Sequence, residues 1–342
     1  IGLVGSEMCI RDSCCFASRY YLFMQDWDNA IKYATMALTS NPSSLLRDYS
    51  AIAALPNGTS RHQEYVNSAS TANFLLQAAT SNSGLLFDWY STAGRYSHGK
   101  LQGIYETVQP KKGGPWGSGV TFRAPHAVLA SSGKYILPRT WRVFQYTDPV
   151  AGTGFNKAIS VLFTSEEALL NRAEAYIMKM NEDPAALDKA LEDMNLYAAN
   201  LFSAGFKSMT EASIIKWATE TYPDYSELYV GKTSVSSPQT LNPKKKLHAA
   251  PYNTLEEGGP QESMLQALIF MRRYQFLHEG MRWFDTRRFG ITVYRYLLDE
   301  DAETVVQITD QISDENGTPD PRRALQLPAD VIAAGLTPNP RK

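Results

Sequence analysis

His278 and Glu279 stand side by side within FMRRYQFLHEGMRWFDTRRFG, residues 270–290, the stretch of the chain that most directly invites metal chemistry. A helical zinc hydrolase needs H-E-x-x-H, because two imidazoles four residues apart share one helix face and the glutamate serves as general base. Here the second ligand position is Arg282, and His62, His98, His126 and His248 are scattered without ligand spacing. No metal and no cofactor are expected. The arginines of the stretch (272, 273, 282, 287 and 288) do not share one helical face, and Glu279 and Asp285 sit among them, so the pattern is a poor phosphate-binding footprint. Both acids lie three residues from Arg282, which on one continuous helix places them beside that guanidinium. Leu265, Leu268, Ile269, Phe276, Leu277 and Phe284 make an apolar stripe, and Gly280 would let a neighbour approach. The reading is a structural helix carrying a buried ionic network, with Arg272, Glu279, Gly280, Arg282, Asp285 and Arg288 as its members.

Residue type leaves two other chemistries open. Glycosidic hydrolysis requires paired carboxylates about 5–10 Å apart across a sugar site. Asp88, Glu106 and Asp148 are available, but no spacing singles out a pair. Sugar capture requires exposed flat aromatics flanked by amide and charged donors, since a pyranose offers apolar C–H faces and many hydroxyls. The densest such stretch is FDWYSTAGRYSHGKLQ, which supplies Trp89, Tyr90, Arg95, Tyr96 and Gln102. Trp116, on the loop GGPWGSG, is the first choice among the candidate ligand-binding residues, because a tryptophan between glycines and a proline is poorly explained by core packing. Packing of these loops onto the scaffold is the competing account. Trp27, Trp141 and Trp283 lie in periodic or strand-like contexts and are assigned to the core.

Composition narrows the class. The chain has 342 residues, 44% hydrophobic and 20% charged, enough apolar material for a large buried core. Thirty-three Lys and Arg against 35 Asp and Glu give a net charge of -2, which argues against a general polyanion binder. Lys244-Lys245-Lys246 lies in a Pro-bounded segment and reads as a solvated loop. The cysteines, Cys9, Cys14 and Cys15, all fall in the first fifteen residues, so no disulfide framework runs through the fold. No apolar run reaches the ~18–20 residues of a membrane span. Residues 1–13 lack the layout of an export signal. They resemble translated adaptor sequence and are read as a non-native leader, with the true amino terminus and any export signal absent.

The elements that must position these residues are mainly helical. Residues 16–42 read as two helices broken near Gln25-Asp26, with Tyr21, Trp27, Ala30, Ala37 and Pro42 at tetratricopeptide intervals. Residues 164–202 read as a second hairpin. Thr164 and Glu167 form a capping box, Leu169, Leu170, Ala173, Tyr176 and Ile177 repeat at helical spacing, and Pro184 opens the second helix. Leu187, Ala190, Leu191, Met194 and Tyr197 continue the stripe. A helix is expected over about 60–80, loops with short strands through residue 160, a Gly/Pro/Ser/Lys-rich loop over 231–262, and a short strand at VVQIT. No clean domain boundary appears. Long irregular segments within a helical frame are usually functional surfaces.

Residues 271–290 resemble the carboxyl-terminal signature of the SusD/RagB family, roughly E-R-x-x-E-L-x-x-E-G-x-R-x-x-D-L-x-R-x-G. Arg272, Glu279, Gly280, Arg282, Asp285, Arg288 and Gly290 match, while Met271 and Gln275 replace two acids, and Phe276 and Thr286 replace leucines. LLNRAEAY at 169–176 resembles the family's L-x-R-A-E-A-Y, and DPRRALQLPADVIAAGLTPNP at 320–340 resembles its ending. The resemblance implies a mainly all-α, SusD-like fold of tetratricopeptide-type hairpins with long irregular loops and a few short strands. It implies a single domain over 14–342, with an N-terminal helical part to residue 80, corresponding to the C-terminal two-thirds of a longer protein. It further implies a lipid-anchored, surface-exposed outer-membrane protein, the anchor lying outside this chain. Such a protein captures oligosaccharide (peptide in some members) and passes it to a SusC-type TonB-dependent transporter, making and breaking no bond and binding no nucleic acid. Hairpins such as 16–40 and 165–202 would form the platform that meets the transporter. An all-helical glycoside hydrolase and a tetratricopeptide interaction scaffold are the alternatives; the scaffold predicts consecutive 34-residue repeats, whereas these hairpins stand more than a hundred residues apart.

Overall fold

The computed structural model describes residues 3–83, 114–117, 120, 123, 127–129, 134–136, 143–202, 205–220, 244–277, 279–298, 300, 305–314 and 318–341. About half of the described residues are helical, and the strands among them are few and mostly short. The first hairpin is α1 (Leu3–Phe23) and α2 (Trp27–Leu38), with α1 continuing back through the segment read as a leader. Gln25 takes φ 60° at the break, and Asp26 caps α2 by accepting from the Asn29 amide at 3.1 Å. Ala30, Ala34 and Ala37 are fully buried. Their small side chains let α2 lie close against the second hairpin, α5 (Ser165–Lys179) and α6 (Pro184–Leu201).

That second hairpin begins as expected. Thr164 Oγ1 accepts from the Glu167 amide at 3.0 Å, and Pro184 occupies the first turn of α6. Arg172 ties the two helices together through Asp193 at 2.7 Å. Thr164→Ala should destabilise the chain by about 1 kcal/mol, the usual worth of such a cap, as measured by urea unfolding.

Between the hairpins the structure departs from the helix expected over 60–80. Short helices α3 (Tyr49–Ala54) and α4 (Gly58–Tyr65) end at Tyr65, and β1 (Asn73–Thr80) is extended. FLLQAA has acceptable helix propensity, but β1 pairs antiparallel with β5 (Thr153–Thr164), opposing Leu76 to Val161, and this non-local pairing overrides local preference. Strands β2 (Ala127–Leu129) and β3 (Lys134–Ile136) form a separate pair. β4 (Val143–Asp148) completes a sheet of order β1-β5-β4, and β5 runs directly into α5.

The carboxyl-terminal part holds α7 (Glu211–Glu220), α8 (Pro260–Gln275) and α9 (Met281–Arg288), then the hairpin β6 (Val293–Leu298) and β7 (Val305–Ile312), then α10 (Ala329–Ala333). The VVQIT strand is thus present within β7. The main core gathers the inner faces of α5, α6, α7 and α8. Among the described residues, no helix is long and apolar enough to cross a membrane.

Candidate functional site

The quoted stretch is two helices rather than one. α8 ends at Gln275 and α9 starts at Met281, with Gly280 in the left-handed region at φ 80°. A Cβ at Gly280 would meet nothing within 4 Å, so the glycine is there for its backbone conformation and not to admit a neighbour. The break also rearranges the expected ion pairs. Glu279 accepts from the Tyr65 hydroxyl. Asp285 takes Arg272 in a forked pair, Nη2 at 2.9 Å and Nε at 3.1 Å, and Arg288 Nη2 at 3.2 Å. Phe284, expected in the apolar stripe, is 46% exposed, because the reversal turns that position outward.

The network continues into the second hairpin. Arg272 Nη1 donates to Asn171 Oδ1 at 2.8 Å, and Arg288 forks onto Glu174, Nη2 to Oε2 at 2.9 Å. Tyr252 donates to the same carboxylate at 3.1 Å, and Asn171 reaches back to Ser18 on α1 at 3.1 Å. The two family-like motifs, 169–176 and 271–290, therefore meet in one buried chain of charges. Burial pushes the Asp285 carboxyl up, but Arg272, and then Arg288 and Arg282, outweigh it and hold its pKa below the ordinary value. Burial likewise pushes the Tyr252 phenol up, with Glu174 adding to the effect. Where the signature has an acid, the buried Gln275 accepts from two phenols, Tyr49 at 3.2 Å and Tyr197 at 3.0 Å. Asp285 and Glu174 are each locked to a guanidinium and closed to solvent. These buried pairs brace the helices against one another.

Two further arginines pin the periphery. Arg47, buried on the α2–α3 connection, stands 3.6 Å from Glu166 and donates to Asn73 Oδ1 at 2.6 Å. Arg323, from the DPRR ending, pairs with Asp314 and donates to the carbonyls of Thr286 at 3.1 Å and Ile291 at 2.7 Å. That is what the ending does: it clamps the exit of α9. Its neighbour Asp320 is drawn down to a pKa of about 2, chiefly by hydrogen bonds from Arg322.

Of the expected ligand-binding residues, Trp89, Tyr90, Arg95, Tyr96 and Gln102 lie outside the described residues, as do Asp88, Glu106 and Trp141. Trp116 is placed, and it corrects the expectation of an exposed loop aromatic. It is 1% exposed, stacked on Phe270 with centroids 5.3 Å apart and tilted on Phe202 at 4.1 Å. Its faces are occupied by the core and cannot stack on a sugar. Asp148 closes the β4–β5 turn by accepting from the amides of Val150 and Ala151. Among the described residues, no group of three or more His, Cys, Asp or Glu side chains is close enough to hold a metal.

Two surface cavities lie beside the spine. One, of about 570 Å³, opens where the α1–α2 turn meets α9 and is lined by Phe23, Phe284 and Arg287 among others. The other, of about 280 Å³, lies between α9 and β6 and is lined by Lys245, Arg273, Arg282, Trp283, Tyr294 and Tyr296 with smaller residues. Sequence reading missed this second site. Trp283 was assigned to the core and is half-buried at the groove wall, and Lys245 was read as part of a solvated loop. The signal that could have found it is the period-2 pair Tyr294/Tyr296, which puts both rings on one face of a strand.

No family model matches the chain, and no curated protein matches it. Among solved structures, it is similar to a provisionally named sugar-binding protein from Bacteroides vulgatus, at 17% identity and TM-score 0.47, over 96% of this chain and 59% of that one. It is similar to a SusD-like protein from Bacteroides fragilis, at 15% identity and TM-score 0.42, over 96% and 64%. It is also similar to a SusD-like carbohydrate-binding protein from B. vulgatus, at 15% identity and TM-score 0.42, over 94% and 57%. The chain thus spans less than two-thirds of the length of each.

Proposed function

We propose that this chain is part of a non-catalytic glycan receptor of the SusD/RagB kind, which captures oligosaccharide at the cell surface and delivers it to a SusC-type TonB-dependent transporter. The observation that carries the reading is the meeting of the 169–176 and 271–290 motifs in one saturated ionic spine. Residues that resemble a family signature here do the work of a brace, and they leave the loops to meet the ligand. In this reading the full-length protein is lipid-anchored in the outer membrane, and the packed α1–α2 and α5–α6 hairpins offer the transporter-facing platform. Glycan contact falls to the aromatic stretch that carries Trp89, Tyr90, Arg95, Tyr96 and Gln102, while the buried Arg272, Asp285 and Arg288 take no part in binding.

A glycan array followed by calorimetry on the chain tests this. At least one oligosaccharide is expected to bind, and Trp89→Ala or Tyr90→Ala should weaken it about tenfold or more, on the scale of a lost aromatic stacking contact and its buried area. Reducing-sugar release from the same glycan should stay at background. Sustained turnover, or absence of binding to any glycan, would overturn the proposal.

A further inference from the structure

We infer that β4 is an interface between two copies of this chain, joined edge to edge by antiparallel pairing so that the sheet β1-β5-β4 continues into the same sheet of the second copy. Association through this edge is separate from glycan capture and does not depend on it.

β4 is the open edge of its sheet. All six of its residues are exposed, and it pairs on one side only, with β5. A strand so placed leaves alternate amides and carbonyls without a partner, and among the described residues no backbone group from another segment reaches them. Edge strands are commonly blunted by a lysine, a proline, an inward charge or a bulge. The sequence VFQYTD holds neither lysine nor proline. Its one charge, Asp148, lies at the end and accepts from the turn amides of Val150 and Ala151 at 2.9 and 3.0 Å. Lys157, opposite Val143, turns back to Thr80 Oγ1 at 2.9 Å. The register runs evenly from Val143 to Tyr146 and slips only beyond it.

Both faces of this edge are apolar where a free edge would be polar. Phe144 and Tyr146 share one face and are 39% and 58% exposed. Val143 shares the other face with Phe155, which stands opposite Gln145, and these two are 40% and 56% exposed. The Phe144 and Tyr146 rings meet edge to face at 4.9 Å. Gly154, opposite Tyr146, makes room for them, since a Cβ there would come within 2.9 Å of the Phe144 ring. Contiguous exposed apolar side chains of this kind mark a surface that a protein partner covers.

A second copy is the occupant because the strand is complementary to itself. An antiparallel pairing centred on Gln145 sets that residue against its twin, Phe144 against Tyr146 and Val143 against Thr147, each twice about the twofold axis. Opposed residues then lie on the same face, no like charges meet among them, and the four rings become cross-strand aromatic pairs. Strand pairing of this length covers about 1,000 Å² in total, the low end for a specific interface, so the dimer is expected to be reversible.

Sedimentation velocity over about 1–300 µM, a span suited to an interface of that size, should show a monomer–dimer equilibrium. Phe144→Lys combined with Tyr146→Lys opposes lysines across the axis and should weaken dimerisation at least about tenfold, with the fold retained because both positions are exposed. The register is read by cysteines placed in a Cys9→Ser chain, where the remaining native thiols, Cys14 and Cys15, are buried. Gln145→Cys should give a disulfide-linked dimer under mild oxidation, because opposed Cα atoms of an antiparallel pair are about 4.5–5.5 Å apart, within disulfide reach. Val143→Cys should not, since its twin would lie four strand residues away, roughly 13 Å. A chain that stays monomeric at the highest concentration, growth beyond the dimer, a dimer unmoved by the paired lysines, or a link through Val143→Cys in place of Gln145→Cys would overturn the interface. If the lysine variant fails to fold, the two cysteine variants decide.

Discussion

Asp285→Asn is expected to destabilise the chain by about 3–5 kcal/mol, because it leaves Arg272 and Arg288 buried against each other without their shared counter-charge. Asp285 is 0% exposed and Arg272 1%, so solvent cannot compensate. Urea denaturation reads the loss directly, and a double-mutant cycle with Arg272→Met should show strong non-additivity, since the second change removes a charge the first had stranded. A loss below about 1 kcal/mol would mean that the spine is solvated and not a brace. The same carboxylate gives a pH signature. Its folded-state pKa is lowered, so its contribution is in place above the unfolded value of about 3.9 and is lost as pH falls below it toward the folded value. The unaltered chain should lose stability in that acid window, and Asp285→Asn should flatten the dependence there.

Trp116→Ala is expected to cost a similar amount, about 3–5 kcal/mol, the range for deleting a large buried aromatic. The indole rests on Phe270 from α8 and Phe202 at the end of α6, so its removal opens a cavity where the loop meets the helical core. The adjacent glycines have a packing reason. A Cβ at Gly114 would overlap the Trp116 ring, and Gly117 takes φ 115°, so the loop folds back and presses its own tryptophan inward. Thermal unfolding should report the loss, while glycan affinity measured well below the transition should stay unchanged. A large affinity loss with little change in stability would return Trp116 to the ligand.

What could be read along the chain was whatever short-range physics controls. The α1–α2 break at Gln25-Asp26, the Thr164 cap, Pro184 at the start of α6 and the strand within 305–312 follow from capping, proline geometry and hydrophobic period, all of which act within a few residues. The signature residues were likewise evident from type and spacing. Their pairing was not. Asp285 keeps the expected Arg282 within electrostatic reach on α9, but the left-handed turn at Gly280 swings α9 so that Arg272 is what hydrogen-bonds Asp285, and Arg288 faces Glu174 from a hairpin about a hundred residues earlier. No local rule carries that information, because which charges meet depends on how α5, α8 and α9 pack. The same holds for aromatic exposure. Trp116 and Trp283 exchanged their expected places, the loop residue going to the core and the helical one to a groove, because burial is settled by what lies across from a side chain and not by its neighbours in sequence. By itself the sequence determined the two helical hairpins, their caps and the arginines and aspartate of the carboxyl-terminal signature. Only the tertiary structure decided which partners close that spine and which flat rings remain open to solvent.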